Sequence, residues 1–188
     1  MGRYLALLRG INVGGNNLIK MADLKTCFQR QGFEDVVTYI QSGNVVFSAP
    51  GSGSGELVRR IEATLSATFG GQASVVVRSQ GQMRAIVQRA PDGFGTQPAR
   101  YRYDVIYLKA PLAAAAAMKS VLVKPGVDEA HAGPSVLYFS RLISKASQSR
   151  LGKLVSLPIY KSMTIRNWNT TTTLLRMLDG SGDRGAES

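Results

Sequence analysis

The sequence predicts an α+β fold of two ferredoxin-like βαββαβ units with mainly antiparallel sheets. Three observations carry this expectation. Short β-branched runs and helical apolar patterns succeed one another in the order βαββαβ. The same order recurs after a Pro/Gly-rich stretch at 91–98, which reads as a linker. Hydrophobic residues make up 44% of the 188, enough to fill real cores.

Residues 4–8 are apolar at every position and read as a strand buried on both faces. Residues 21–31 read as a helix with Leu24, Cys27 and Phe28 on one side, Asp23 in its first turn and Gly32 as its stop. Residues 36–40 and 44–48 are β-rich, and Ser42-Gly43 between them marks a hairpin. Glu34-Asp35 reads as a solvated turn before the second strand, and the Gly/Ser-rich run 49–55 as a surface loop. Leu57, Ile61, Leu65 and Phe69, four residues apart, define a second helix, and 74–77 is the fourth strand. A further helix at 81–89 leads out of the unit.

In the second half, 104–108 reads as a strand and 112–123 as a helix containing five consecutive alanines. Two short strands, 127–131 and 136–140, flank Gly133-Pro134. A helix at 144–155, a strand at 163–166 and a last helix at 168–178 complete the pattern. The expected division is a first unit at 1–92, a second at 99–180, and a disordered tail at 181–188. The duplication is one of architecture, with no clear residue-by-residue repeat.

Lys plus Arg number 23 and Asp plus Glu 12, a formal net charge of +11. That favours an anionic partner without bearing on fold. Cys27 is the single cysteine, which excludes an intrachain disulfide and suits a reducing cytoplasm. The first residues run directly into a strand pattern, so no secretory leader is expected, and no apolar run reaches the ~18–20 residues of a membrane span. No membrane partner is expected.

Residues 9–17, Arg9-Gly10-Ile11-Asn12-Val13-Gly14-Gly15-Asn16-Asn17, hold three glycines and three asparagines. Such a loop can leave the usual φ range and aim several N–H groups at one ligand atom. In a βαββαβ unit the end of the first strand meets the start of the third. The loop should therefore lie beside the hairpin Gln41-Ser42-Gly43-Asn44. One sheet edge would gather Arg9, Asn12, Gly14, Gly15, Asn16, Asn17, Gln41, Ser42 and Asn44, neutral donors around one cation, suited to phosphate or carboxylate. The alternative is that these residues only form tight turns. Gly15 is followed by Asn16-Asn17 rather than Lys-Ser/Thr, so this is not a Walker loop. Nor do Gly10, Gly14 and Gly15 fit the dinucleotide fingerprint. No cofactor is expected.

Arg9-Gly10-Ile11-Asn12-Val13-Gly14-Gly15, Met21-Ala22-Asp23-Leu24 and Thr38-Tyr39-Ile40-Gln41-Ser42-Gly43-Asn44-Val45-Val46-Phe47 resemble a family of mostly bacterial proteins, the domain-of-unknown-function family numbered 1697. Arg166-Asn167-Trp168-Asn169-Thr170 resembles its C-terminal signature. The resemblance runs from about residue 3 to 178. It implies two ferredoxin-like halves and brings no established activity and no catalytic residues.

Other chemistry finds little support. Cys27 and His131, the sole members of their types, fall in different units, so a Cys–His nucleophile is not expected. Zinc needs three or four ligands that Cys and His cannot supply here. The acids are few and scattered, and no acid–base pair for hydrolysis stands out. Tyr4 and Phe47 could share a sheet face as in an RNA-recognition motif, but such apolar surroundings predict a covered face.

The strongest functional signal is basic. Between Glu129 and Asp179 there is no acid, and Arg141, Lys145, Arg150, Lys153, Lys161, Arg166 and Arg176 lie there. On the expected 144–155 helix, Lys145, Arg150 and Lys153 share one side and Leu151, Leu154 and Val155 the other. Trp168 begins the last helix, where it can stack on a base or anchor a core, and Asn167 or Asn169 can cap it. The expectation is a non-enzymatic binder of nucleic acid or another polyanion through Lys145, Arg150, Lys153, Lys161, Arg166 and Trp168. The alternative is a small-molecule phosphate or carboxylate site at the Arg9 loop, enzymatic or not.

Overall fold

The computed structural model describes residues 1–9, 19–51 and 53–180. The expected Gly/Asn loop from Gly10 onward, with Asn12, Gly14, Gly15, Asn16 and Asn17, and the expected tail 181–188 lie outside them. The first sheet comprises β1 (Gly2–Arg9), β2 (Glu34–Tyr39), β3 (Asn44–Ala49) and β4 (Ser74–Ser79), with α1 (Met21–Arg30) and α2 (Ser54–Phe69) between strands. It is antiparallel, in the order β2-β3-β1-β4. After α3 (Gln80–Gln88), the second sheet comprises β5 (Tyr101–Leu108), β6 (Asp128–Gly133), β7 (Val136–Leu142) and β8 (Met163–Asn167). Its order, β6-β7-β5-β8, repeats the first. Between its strands lie α4 (Ala114–Met118) and α5 (Leu151–Val155), and α6 (Trp168–Leu178) follows. The fold is therefore α+β with two ferredoxin-like units. The compact units are Met1–Met83 with the chain from Thr173 on, and Arg84–Thr172.

Packing in the first unit follows from spacing. Leu24, Cys27 and Phe28 on α1 and Leu57, Ile61 and Leu65 on α2 are buried. They pack with Tyr4, Ala6, Leu8, Val45, Phe47, Val75 and Val77, alternate residues on one face of the sheet. Each of the Val, Leu, Ile and Phe side chains among them contributes roughly 1.5–3 kcal/mol by leaving water. Gly32 at φ 78° lets the chain leave α1 where a side chain would be strained. Leu5, Leu7, Val46 and Val76 on the other face are also buried, so the strands are covered on both sides. Tyr4 stacks on Phe47 at 5.8 Å beneath the helices. These aromatics are core, not a base-stacking platform.

Four expectations need correction. Glu34-Asp35 is not a turn ahead of the strand. Both residues lie in β2 at a register shift, where Asp35 adopts φ 48° and its carboxylate accepts a hydrogen bond from Ser48 Oγ at 2.9 Å. The 112–123 helix shrinks to Ala114–Met118. Alanine supplies propensity but no apolar stripe, and Val121, Val123 and the Lys124-Pro125 step all disfavour continuation. Strand β5 begins three residues before the expected Asp104.

The 144–155 helix does not exist as one element. A 3-10 segment, Ile143–Gln148, is followed by α5, and Lys145 within the first has non-helical φ −124°, ψ 22°. Two competitors break it. Ser149 adopts extended φ/ψ and its Oγ accepts from Leu151 N. Buried Asp128 accepts from Arg150 N at 2.8 Å. Lys145, Arg150 and Lys153 thus do not share one helix face. Leu151 and Leu154 are buried as expected, while Val155 is exposed.

Candidate nucleic-acid interface

The second sheet has one face covered by helices. Ile106, Leu108, Leu137, Phe139 and Met163 pack there with Ala117, Leu151 and Leu154. Alternation places Arg102 and Asp104 on this same face of β5 and Arg141 on the same face of β7. These polar residues close the apolar layer at the Tyr101 end of β5. Arg102 stands directly opposite Arg141 across the β5–β7 pair, and Arg141 stands opposite Asp128 of β6. Asp104 stands opposite Asn167. Directly opposed like charges cost stability in a sheet. Here one carboxylate offsets them, with Arg141 Nη2 3.6 Å from Asp104 Oδ2. That separation is an ion pair without a hydrogen bond.

Four of the expected basic residues follow the helix-covered side. The 3-10 segment carrying Lys145 starts where Ile143 N donates to Arg100 O, beside the start of β5. Arg150 is tied to Asp128 at the same end. Lys161 lies in the 3-10 segment Pro158–Ser162, whose Ser162 O accepts from Lys109 N beyond the far end of β5. Lys153, on α5, falls between them in the chain. Lys145, Lys153 and Lys161 are exposed and Arg150 is half-buried. With β5 eight residues long, the stripe from the Lys145 segment to the Lys161 segment follows a path of about 25 Å.

Arg166 is not part of it. Met163 and Ile165 pack on the helix side, so Arg166 belongs to the opposite sheet face. It is half-buried, and burial pushes its guanidinium down to about 10, with Tyr107 and Tyr160 opposing the shift. It remains a cation at neutral pH. Trp168 is half-buried at the start of α6, where it meets Phe94 edge-on at 5.1 Å. Gly95, at φ 88°, lies so close that a Cβ there would collide with the indole Nε1 and Cδ1. Asn167 caps α6, its Oδ1 accepting from Thr170 N at 2.7 Å.

A cleft of about 290 Å³ opens between these features. Strand β8 ends at Asn167 opposite Asp104, which leaves the edge of β5 over Tyr101–Tyr103 uncovered on that side. Tyr101, Tyr103 and Trp168 line the cleft together with Arg102, Asp104 and Arg141. Of the residues that the sequence marks as interface candidates, only Trp168 is there. Charges at Arg100, Arg102 and Asp104 hide the strand start, although Tyr101 and Tyr103 carry a period-two aromatic signal.

In the first unit, register brings the end of β1 to the hairpin as expected. Leu7 pairs with Asn44, and Leu8 N donates to Gly43 O at 2.8 Å. Arg9, opposite Ser74, shares a sheet face with Asn44 and is half-buried. Gln41 and Ser42 are exposed, whereas Asn44 is fully buried. Its amide donates to Tyr39 O at 2.9 Å and Ser42 Oγ at 3.0 Å, so both N–H groups hold the hairpin closed. No group of three or more His, Cys, Asp or Glu able to hold a metal occurs among the described residues. No helix among them is long and apolar enough to cross a membrane.

Fold and surface together define a two-unit ferredoxin-like protein with a strongly basic second unit. The chain belongs to the family described as "Protein of unknown function (DUF1697)", whose model matches residues 1–138. A solved structure, that of the conserved bacterial protein SP0830 from Streptococcus pneumoniae, is similar at 27% sequence identity with a TM-score of 0.82. The similarity covers 94% of this chain and 98% of that one. None of the curated proteins compared matches the chain.

Proposed function

We propose that the chain is a non-enzymatic binding module for nucleic acid or a comparable polyanion, acting through its second unit. The observation that carries this reading is where the charge resides. Residues 84–172 hold 13 Lys and Arg against 4 Asp and Glu, a net +9 of the total +11. Two of those acids, Asp104 and Asp128, are buried, which leaves Asp92 and Glu129 at that unit's surface. A stripe of exposed lysines with little compensating acid suits a rod of phosphates and releases its counterions on binding. Retention on heparin and on duplex DNA at ~50 mM salt is the expected result. Passage through both columns at that salt ends the reading.

The register of β1 against the hairpin favours a second reading, a phosphate or carboxylate held by Arg9 beside Gln41 and Ser42. A thermal-shift series with inorganic phosphate and sugar phosphates tests it. A ligand at 100 times its Kd raises stability by about 2.7 kcal/mol, and Arg9→Ala should remove that gain. Arg9→Lys should restore part of it, because a forked contact is lost. An unchanged ligand shift in Arg9→Ala removes Arg9 from any such site.

A further inference from the structure

The cleft beside β5 belongs to neither expected site, and its wall is built in a way the fold alone does not require. Asp104 is 8% exposed. Its Oδ2 and the neighbouring Arg141 Nε are buried without a hydrogen-bond partner. One acceptor and one donor are thus unused in residues whose side chains approach to 3.6 Å, and a nucleobase edge carries groups of both kinds. Because the Asp104–Arg141 pair has no hydrogen bond between its members, an incoming polar edge can part it without breaking one. Across the open strand edge, Tyr101 and Trp168 supply aromatic surface, and Arg102 is the exposed cation. Arg141 also links the cleft to the basic stripe, since it stands opposite Asp128, which holds the backbone of Arg150.

We infer that this cleft takes one nucleotide of a single-stranded nucleic acid, its base against Trp168 and its phosphate on Arg102. The assignment deepens the polyanion reading and rests on it. Bases are read by proteins chiefly when unstacked, on aromatic rings and at their polar edges. A base inside a duplex cannot enter a cleft of about 290 Å³ beside a strand edge. The groups recognised, a planar heterocycle and a phosphate, are also those of a free nucleotide.

Trp168 is the single tryptophan, so its emission reports on the cleft directly. The intact protein is titrated with guanosine monophosphate, with a short mixed-sequence single strand and with the duplex of the same sequence, and gel retardation is read in parallel. The single strand should quench Trp168 saturably, the mononucleotide more weakly, and the duplex should be retarded without quenching. Arg102→Ala, a change at an exposed position, should weaken the quenching titration about 10-fold and leave duplex retardation within about 3-fold. Duplex retarded with no quenching by the strand overturns the cleft assignment and leaves the polyanion reading standing. Quenching by the mononucleotide with no retardation of strand or duplex overturns the polyanion reading and makes the cleft a free-nucleotide site. Equal quenching by duplex and strand, or quenching unchanged in Arg102→Ala, also overturns the assignment.

Discussion

Asp104 sits in an environment unfavourable to its charge. Burial is the main cause that pushes its carboxyl up from the ordinary value, and Arg141 and then Arg102 pull it back. The folded state therefore holds the proton more tightly than the unfolded one. Stability from this group falls as pH rises from the unfolded value to the raised folded value, and is lowest at neutral pH. Asp104→Asn should raise Tm at pH 7 and leave it nearly unchanged below about pH 3, where aspartate is protonated in both states. Calorimetry at the two pH values checks this. A lower Tm at pH 7 would mean that the ion pair with Arg141 outweighs burial and that the aspartate is there for stability. Legibility at this scale is uneven. The candidate caps Asn167 and Asn169 can be named from residue type, and Asn167 takes the role. The orphaned Asp104–Arg141 pair cannot, because a two-strand register joins residues far apart in the chain.

Among the elements, those with a clear apolar period are readable and those held by polar competition are not. Helices α1, α2 and α6 have the buried residues or bounds that their spacing implies. The 144–155 stretch has helical spacing at Leu151 and Leu154 only. The Leu151 N–H is claimed by Ser149 Oγ and the Arg150 N–H by Asp128, competitors that no periodicity records. The start of α6 is the hard end to place because Thr170-Thr171-Thr172-Thr173 favours strand over helix. The Asn167 cap and a buried bond from Tyr107 Oη to Thr171 Oγ1 at 3.1 Å outweigh that preference. Asn167→Ala should then cost about 1 kcal/mol in urea unfolding, while Asn167→Asp should cost much less. Equal losses for the two would show that the amide, not the cap, is what matters.

At the scale of the molecule, the double βαββαβ order is legible because strand and helix periods alternate in the same sequence twice. The expected basic interface is only partly so. Lysines can be counted, but not which face each one joins. The 163–167 strand puts Arg166 on the far side of the sheet from Lys153, and a linear count cannot see that. What survives from sequence to fold is the acid-poor second unit, and the central claim is that its lysine stripe meets phosphates. The most direct measurement is the slope of log Kobs against log salt for single-stranded DNA, compared between the wild type and the Lys145→Glu, Lys153→Glu double variant. On a single strand each lost phosphate contact lowers the slope by about 0.7, so the double variant should show a slope shallower by about 1.4 and an unchanged melting temperature. Equal slopes and equal affinities in the two proteins would contradict the claim.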